Sequence, residues 1–218
     1  RLYYVVDAGQ NDDLGDLVDE ARLVDLTDDP LQAGDPDTVS LTMDKLHNNA
    51  ANALVTSDPG YPFRGWMIKM NYDYSNGNTS AVVGEKMLAA PVMFNNEAYY
   101  TTYAPLEDPS LSDPCAVGNL GESRLYHLGA HTAEAIFNYD VSNDDDVLEE
   151  GSRAKGEGGA VLKRSDRVRT LGQGIPSGIV SLIDASGRVT MMISSSNRVE
   201  TYNAPDIKLI SPVYWMQW

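Results

Sequence analysis

Ala90-Pro-Val-Met-Phe94, Ala98-Tyr-Tyr-Thr-Thr-Tyr103, Arg124-Leu-Tyr-His-Leu128 and Glu134-Ala-Ile-Phe137 are short apolar runs that follow one another along the chain. Ser177-Gly-Ile-Val-Ser-Leu182, Val189-Thr-Met-Met-Ile-Ser194, Arg198-Val-Glu-Thr-Tyr202 and Val213-Tyr-Trp-Met216 repeat that series in the same order. β-Branched and aromatic residues dominate these runs, and such residues fit a pleated, half-buried surface. Asn95-Asn96 and Ser186-Gly187 each stand between two runs, where a tight hairpin turn is expected. The series therefore reads as a four-stranded antiparallel unit occurring in tandem.

Working outward, Arg1-Leu-Tyr-Tyr-Val-Val6 matches Arg124-Leu-Tyr-His-Leu128, the third run of a unit. Gly65-Trp-Met-Ile-Lys-Met70 fits the fourth, separated from its third by an acidic stretch and a helix. Within the acidic stretch only residues 21–26 have strand character. Residues 38–55 carry Leu41, Leu46, Ala50, Ala53 and Leu54 roughly on one helical face, with Asp37 or Ser40 as cap. The expected fold class is all-β: part of a β-propeller, about two and a half four-stranded antiparallel blades with one inserted surface helix. An ordinary meander or sandwich is the plainer alternative.

The expected organisation has three parts. Residues 1–70 end one blade and carry the acidic loop and the helical insertion at about 38–55. Residues 71–150 form a second blade and a further acidic loop. Residues 151–218 form a final blade whose C-terminal strand, 209–217, closes the ring. A ring needs about four or more blades, so the others are expected from a parent polypeptide or another subunit. The opening residue, Arg1, is not a start methionine, which fits a processed product or part of something longer.

Composition limits the partners. Lys and Arg total 16 and Asp and Glu 32, for a net charge of −16. Phosphate backbones and anionic lipid are held by cationic surfaces, so neither nucleic acid nor membrane insertion is expected. No apolar run approaches the roughly 20 residues of a membrane span. Cys115 is the single cysteine, which excludes an internal disulfide and a cysteine-rich metal cage.

Enzyme motifs are weak. His127 and His131 are separated by Gly129 at a strand-to-turn junction, with no metalloprotease glutamate between them; His127 reads as a strand residue. Gly174-Ile-Pro-Ser-Gly178 lacks the strand–elbow–helix setting of a serine nucleophile. Gly172-Gln-Gly174 is not followed by the helix a phosphate loop requires. No catalytic residue is assigned, and most of the tyrosines and tryptophans read as packing residues between blades.

The wording of several segments resembles the C-terminal propeller domain of the PilY family, proteins of the type IV pilus tip. These segments are Gly65-Trp-Met-Ile-Lys-Met70, Gly84-Glu-Lys-Met-Leu-Ala-Ala-Pro-Val92, Ala98-Tyr-Tyr-Thr-Thr-Tyr-Ala-Pro105, Asp113-Pro-Cys115, Gly121-Glu-Ser-Arg-Leu-Tyr-His-Leu128, Gly172-Gln-Gly-Ile-Pro-Ser-Gly178 and Val213-Tyr-Trp215. The resemblance covers nearly the whole chain, in order. It implies a secreted parent with a propeller of roughly seven modified blades, passing through the periplasm to the cell surface and the pilus tip. It implies work in pilus biogenesis, retraction control and adhesion, with minor pilins and a host or abiotic surface as partners.

Some members of that family carry a calcium loop. Calcium takes oxygens from alternating acidic positions, and the nearest stretch here supplies Asp140, Ser142, Asp144 and Asp146. Asp145 stands where the loop needs glycine, and Gly151 where it needs a bidentate glutamate. A solvated acidic loop is the simpler account. Two other functions stay open: a calcium- and quinone-dependent dehydrogenase propeller, and an extracellular propeller adhesin unrelated to pili.

Overall fold

A computed structural model describes residues 1–5, 19–32, 35–70, 84–105, 121–139, 162, 164–186, 188–195 and 198–203. Its centre is an antiparallel sheet assembled on β6 (Glu97–Ala104) and β7 (Glu122–Gly129), which pair from Glu97↔Gly129 to Ala104↔Glu122. The turn before β6 is Asn95-Asn96, both at positive φ (48° and 67°). Asparagine tolerates that left-handed geometry, and it matches the twist of a two-residue hairpin.

The other edge of β6 carries two short strands, β4 (Lys86–Met87) and β5 (Val92–Phe94). They are one edge interrupted at residues 88–91, where Pro91 has no N–H to give the ladder. On the far side, β8 (Val168–Gln173) pairs with β7. The register shifts between Ser123 and Arg124, and the slack is taken beside Gly172, at φ 116°.

The first sheet has the order β1–β3–β2: β1 (Leu2–Val5) runs antiparallel to β3 (Gly65–Ile68), and β2 (Val24–Asp25) parallel to it. This is the expected juxtaposition of the opening run with Gly65-Trp66. The third sheet has the order β11–β10–β9, from β9 (Val180–Ile183), β10 (Val189–Ser195) and β11 (Arg198–Asn203). Mostly β architecture in three sheets agrees with the expected class.

Two expectations need correction. Residues 133–138 form no strand and contribute only isolated bridge residues, Ala135 (opposite Leu128) and Phe137, and β8 is the strand beside β7 instead. The chain turns after β7: the Ala133 N–H donates to the Gly129 carbonyl and the Gly129 N–H to the Glu134 carbonyl, with Ala133 at φ 52°. The single helix becomes two, α1 (Pro36–Leu46) and α2 (Ala53–Thr56). Helix α1 starts at Asp35, whose carboxylate accepts from the Thr38 N–H, with Pro36 pre-set in the first turn. It stops at Asn48, whose φ of 52° leaves the helical region. The Asn48 amide then bonds Phe63 at both backbone groups, fastening α1 to the approach of β3.

The sheets stack face to face. Alternate residues of β6 point opposite ways. Ala98 and Tyr100 join Tyr126 and Leu128 against Trp66 and Ile68 of the first sheet. Tyr99 packs against Val189 and Met191 of the third, and Leu125 and Leu171 against Ile193. β6 is accordingly buried at nearly every position, as in a sheet covered on both faces. Fully burying each such side chain contributes roughly 1.5–3 kcal/mol.

Candidate functional site

Much of the buried polar chemistry of the described residues lies against the central sheet. Buried polar groups are tolerated when hydrogen-bonded, and each cluster can be followed partner by partner.

At one end of the central sheet, Glu85 enters just before β4. Its Oε1 accepts from the Thr102 hydroxyl at 2.6 Å and the Tyr126 hydroxyl at 2.8 Å. Arg124 reaches its Oε2 at 3.3 Å and turns two further donors to Glu122, at 2.9 and 3.1 Å. Burial pushes the Glu85 carboxyl up, with Arg124 pulling against it; the same carboxylates hold the Arg124 guanidinium above its ordinary value, against its own burial. The Thr102 and Tyr126 hydroxyls and the Arg124 guanidinium all engage Glu85, so the cluster fastens three chain segments.

At the opposite end, in the seam with the third sheet, His127 Nε2 lies 2.8 Å from Glu97 Oε2. Tyr99 donates to the same oxygen at 2.5 Å, and Tyr139 lies 3.1 Å from His127 Nδ1. Tyr99 stacks on His127 at 4.2 Å, and Phe137 and Tyr139 stack on each other nearby. His127 is thus a strand residue within a Glu–His–Tyr chain, as its position in an apolar run implied.

In the seam with the first sheet, Arg167 donates to Asp29 Oδ1 at 2.6 Å and to the Leu26 carbonyl at 2.8 Å. Trp66 Nε1 donates to the Ala130 carbonyl at 2.9 Å, and Tyr4 meets His131 at 2.8 Å. Between α1 and β2 lies a cleft of about 330 Å³, walled by Leu23, Val24, Leu41 and Phe63 and edged by the Lys45–Asp58 ion pair.

The sequence did not single out Glu97 or Arg167; it placed Asp29 only at the end of an acidic run and Glu85 only within the Gly84–Val92 segment. Their partners lie as far as 138 residues away. Asp140, Ser142, Asp144 and Asp146 lie outside the described residues, as do Cys115 and the 209–217 strand. Among the described residues no group of three or more His, Cys, Asp or Glu is placed to hold a metal ion. Ser177 belongs to a strand-side contact, its hydroxyl accepting from the Ser194 N–H at 2.8 Å.

The outward faces form the other candidate surface. On β9 and β11 the exposed apolar residues are Val180, Leu182, Ile183 and Val199. Pairing of Leu182 with Thr190 and of Val199 with Ser194 puts both on the side of the third sheet turned away from the centre. No protein-family model matches the chain, and no curated protein and no solved structure matches it.

Proposed function

We propose that the chain is the C-terminal part of a PilY-like propeller at the type IV pilus tip, a non-catalytic unit serving pilus biogenesis, retraction control and surface adhesion. In this reading it is secreted to the cell surface, and its partners are the remaining blades, minor pilins and the surface to which the pilus attaches.

The observation that supports the reading is the way the sheets are covered. The central antiparallel sheet is packed on both faces by neighbouring sheets. The third sheet carries apolar residues on both faces too, yet Val180, Leu182 and Val199 remain about half exposed or more, at 56%, 50% and 64%. A sheet with one wet face alternates apolar and polar residues; Met191-Met192 and Leu182-Ile183 do not. A stack prepared to continue in this way suits blades of a larger ring.

The mass of the intact polypeptide in its native source tests the proposal. A species well above the 23.8 kDa of this chain, containing its peptides, is expected. A mature product of 23.8 kDa that sediments as a monomer would count against it.

A further inference from the structure

We infer that Asp29 and Arg167 form a pH-responsive clasp between the first and second sheets, one that grips more tightly in mild acid than at neutral pH. The inference does not depend on a pilus role.

Asp29 lies in the turn after β2, at φ 53°. Arg167 ends the 3-10 turn Arg164–Arg167 that leads into β8. The contact therefore joins the first sheet to the central one, beside the Val168 and Leu26 that pack in the same seam. Asp29 and Arg167 are 3% and 1% exposed. One carboxylate oxygen is used, but Asp29 Oδ2 and Arg167 Nε have no hydrogen-bond partner. An ionised carboxylate wants several donors over both oxygens. Leaving one dry penalises the ion more than the neutral acid, and a single guanidinium need not offset that desolvation.

The surrounding charges are mixed. From the 3-10 turn come Arg167 and Arg164, the latter donating to Asp28 at 2.6 Å, and Asp166 is buried in the same turn. The segment after β7 brings Glu134, a like charge, and His131, which meets Tyr4 farther along the seam. Burial pushes the Asp29 carboxyl up to about 6, against the pull of Arg167 and with Glu134 adding to the push. The sign follows directly. The closed joint holds the proton more firmly than the opened chain, whose carboxyl titrates near its ordinary value of 3.8. Raising the pH therefore favours opening, by about tenfold between roughly pH 5 and 7.5.

Native-state hydrogen exchange on the whole chain over that range tests this, after correction for intrinsic exchange. Amides of β1 and β3 should lose about tenfold protection relative to those of β10, and D29N should flatten the difference. E134Q, which leaves the clasp intact, should shift the midpoint to lower pH, and it keeps the test sound if D29N folds poorly. First and third sheets changing in step, a D29N variant that keeps the full dependence, or an unmoved midpoint in E134Q would overturn the inference.

Discussion

His127 and Glu97 lie 2.8 Å apart, nitrogen to oxygen, in the seam between the second and third sheets. Both belong to the central hairpin, and Tyr99 covers the pair while donating to the same carboxylate. Removing one partner leaves a buried polar group unmet, which costs more than the contact's net worth. H127A and E97A should each lose about 2–4 kcal/mol in denaturant unfolding. The double variant H127F/E97M should recover part of that loss, because matched apolar replacement leaves nothing unsatisfied. A double variant that simply adds the single losses would show that the two residues act separately.

A second buried pair responds to pH. Glu85 is buried against Arg124, Thr102 and Tyr126, and burial raises its carboxyl. A raised acid in the fold binds its proton more tightly than the unfolded chain does, so stability falls as pH rises through the window above the ordinary carboxylate value. Removing the cation should deepen this. R124M should cost about 3–5 kcal/mol at neutral pH and less in mild acid, where Glu85 can be neutral. An equal loss at both pH values would mean that charge plays no part.

Gly65 opens β3 directly opposite Val5, at φ 140°. A methyl there would overlap the Tyr4 carbonyl oxygen, which is backbone and cannot swing aside. G65A should therefore spread β1 from β3 and lower the melting temperature by about 10 °C or more. G172A is the control: its φ is 116°, but nothing lies within 4 Å of the added methyl. It should show only the milder cost of the backbone angle. Comparable melting of G65A and wild type would contradict the β1–β3 pairing.

Asp35 caps α1 through the Thr38 N–H and hydroxyl, and these bonds hold its carboxyl below the ordinary value. The contribution is present above the unfolded value and is lost as pH falls through the lowered one. D35A should lower melting by about 2–4 °C at neutral pH, and the gap should close in strong acid. D35S should restore most of it.

The strands were legible where the turn chemistry was explicit. Asn95-Asn96 announced the β5–β6 hairpin, and the likeness of the opening run to the Arg124 run anticipated a strand beside Gly65-Trp66. Val168-Arg-Thr-Leu-Gly-Gln173 was missed because three polar residues and a glycine dilute its pattern, although pairing with β7 needs only its backbone. The helix start was misplaced because the cap was sought at Asp37 or Ser40, whereas Asp35 fills that place. Pro36 in the first turn was the better signal. The buried clusters were least legible. Asp29 looks like one more acid in an acidic run, and only the fold brings Arg167 to it.

The pilus-tip reading is tested most directly by shearing pili from cells that make this protein and identifying the polypeptides in that fraction. Peptides spanning this chain should be found there, in one polypeptide larger than 23.8 kDa and enriched together with minor pilins. Their absence from sheared pili, while the protein is plentiful in the remaining cells, would contradict the account.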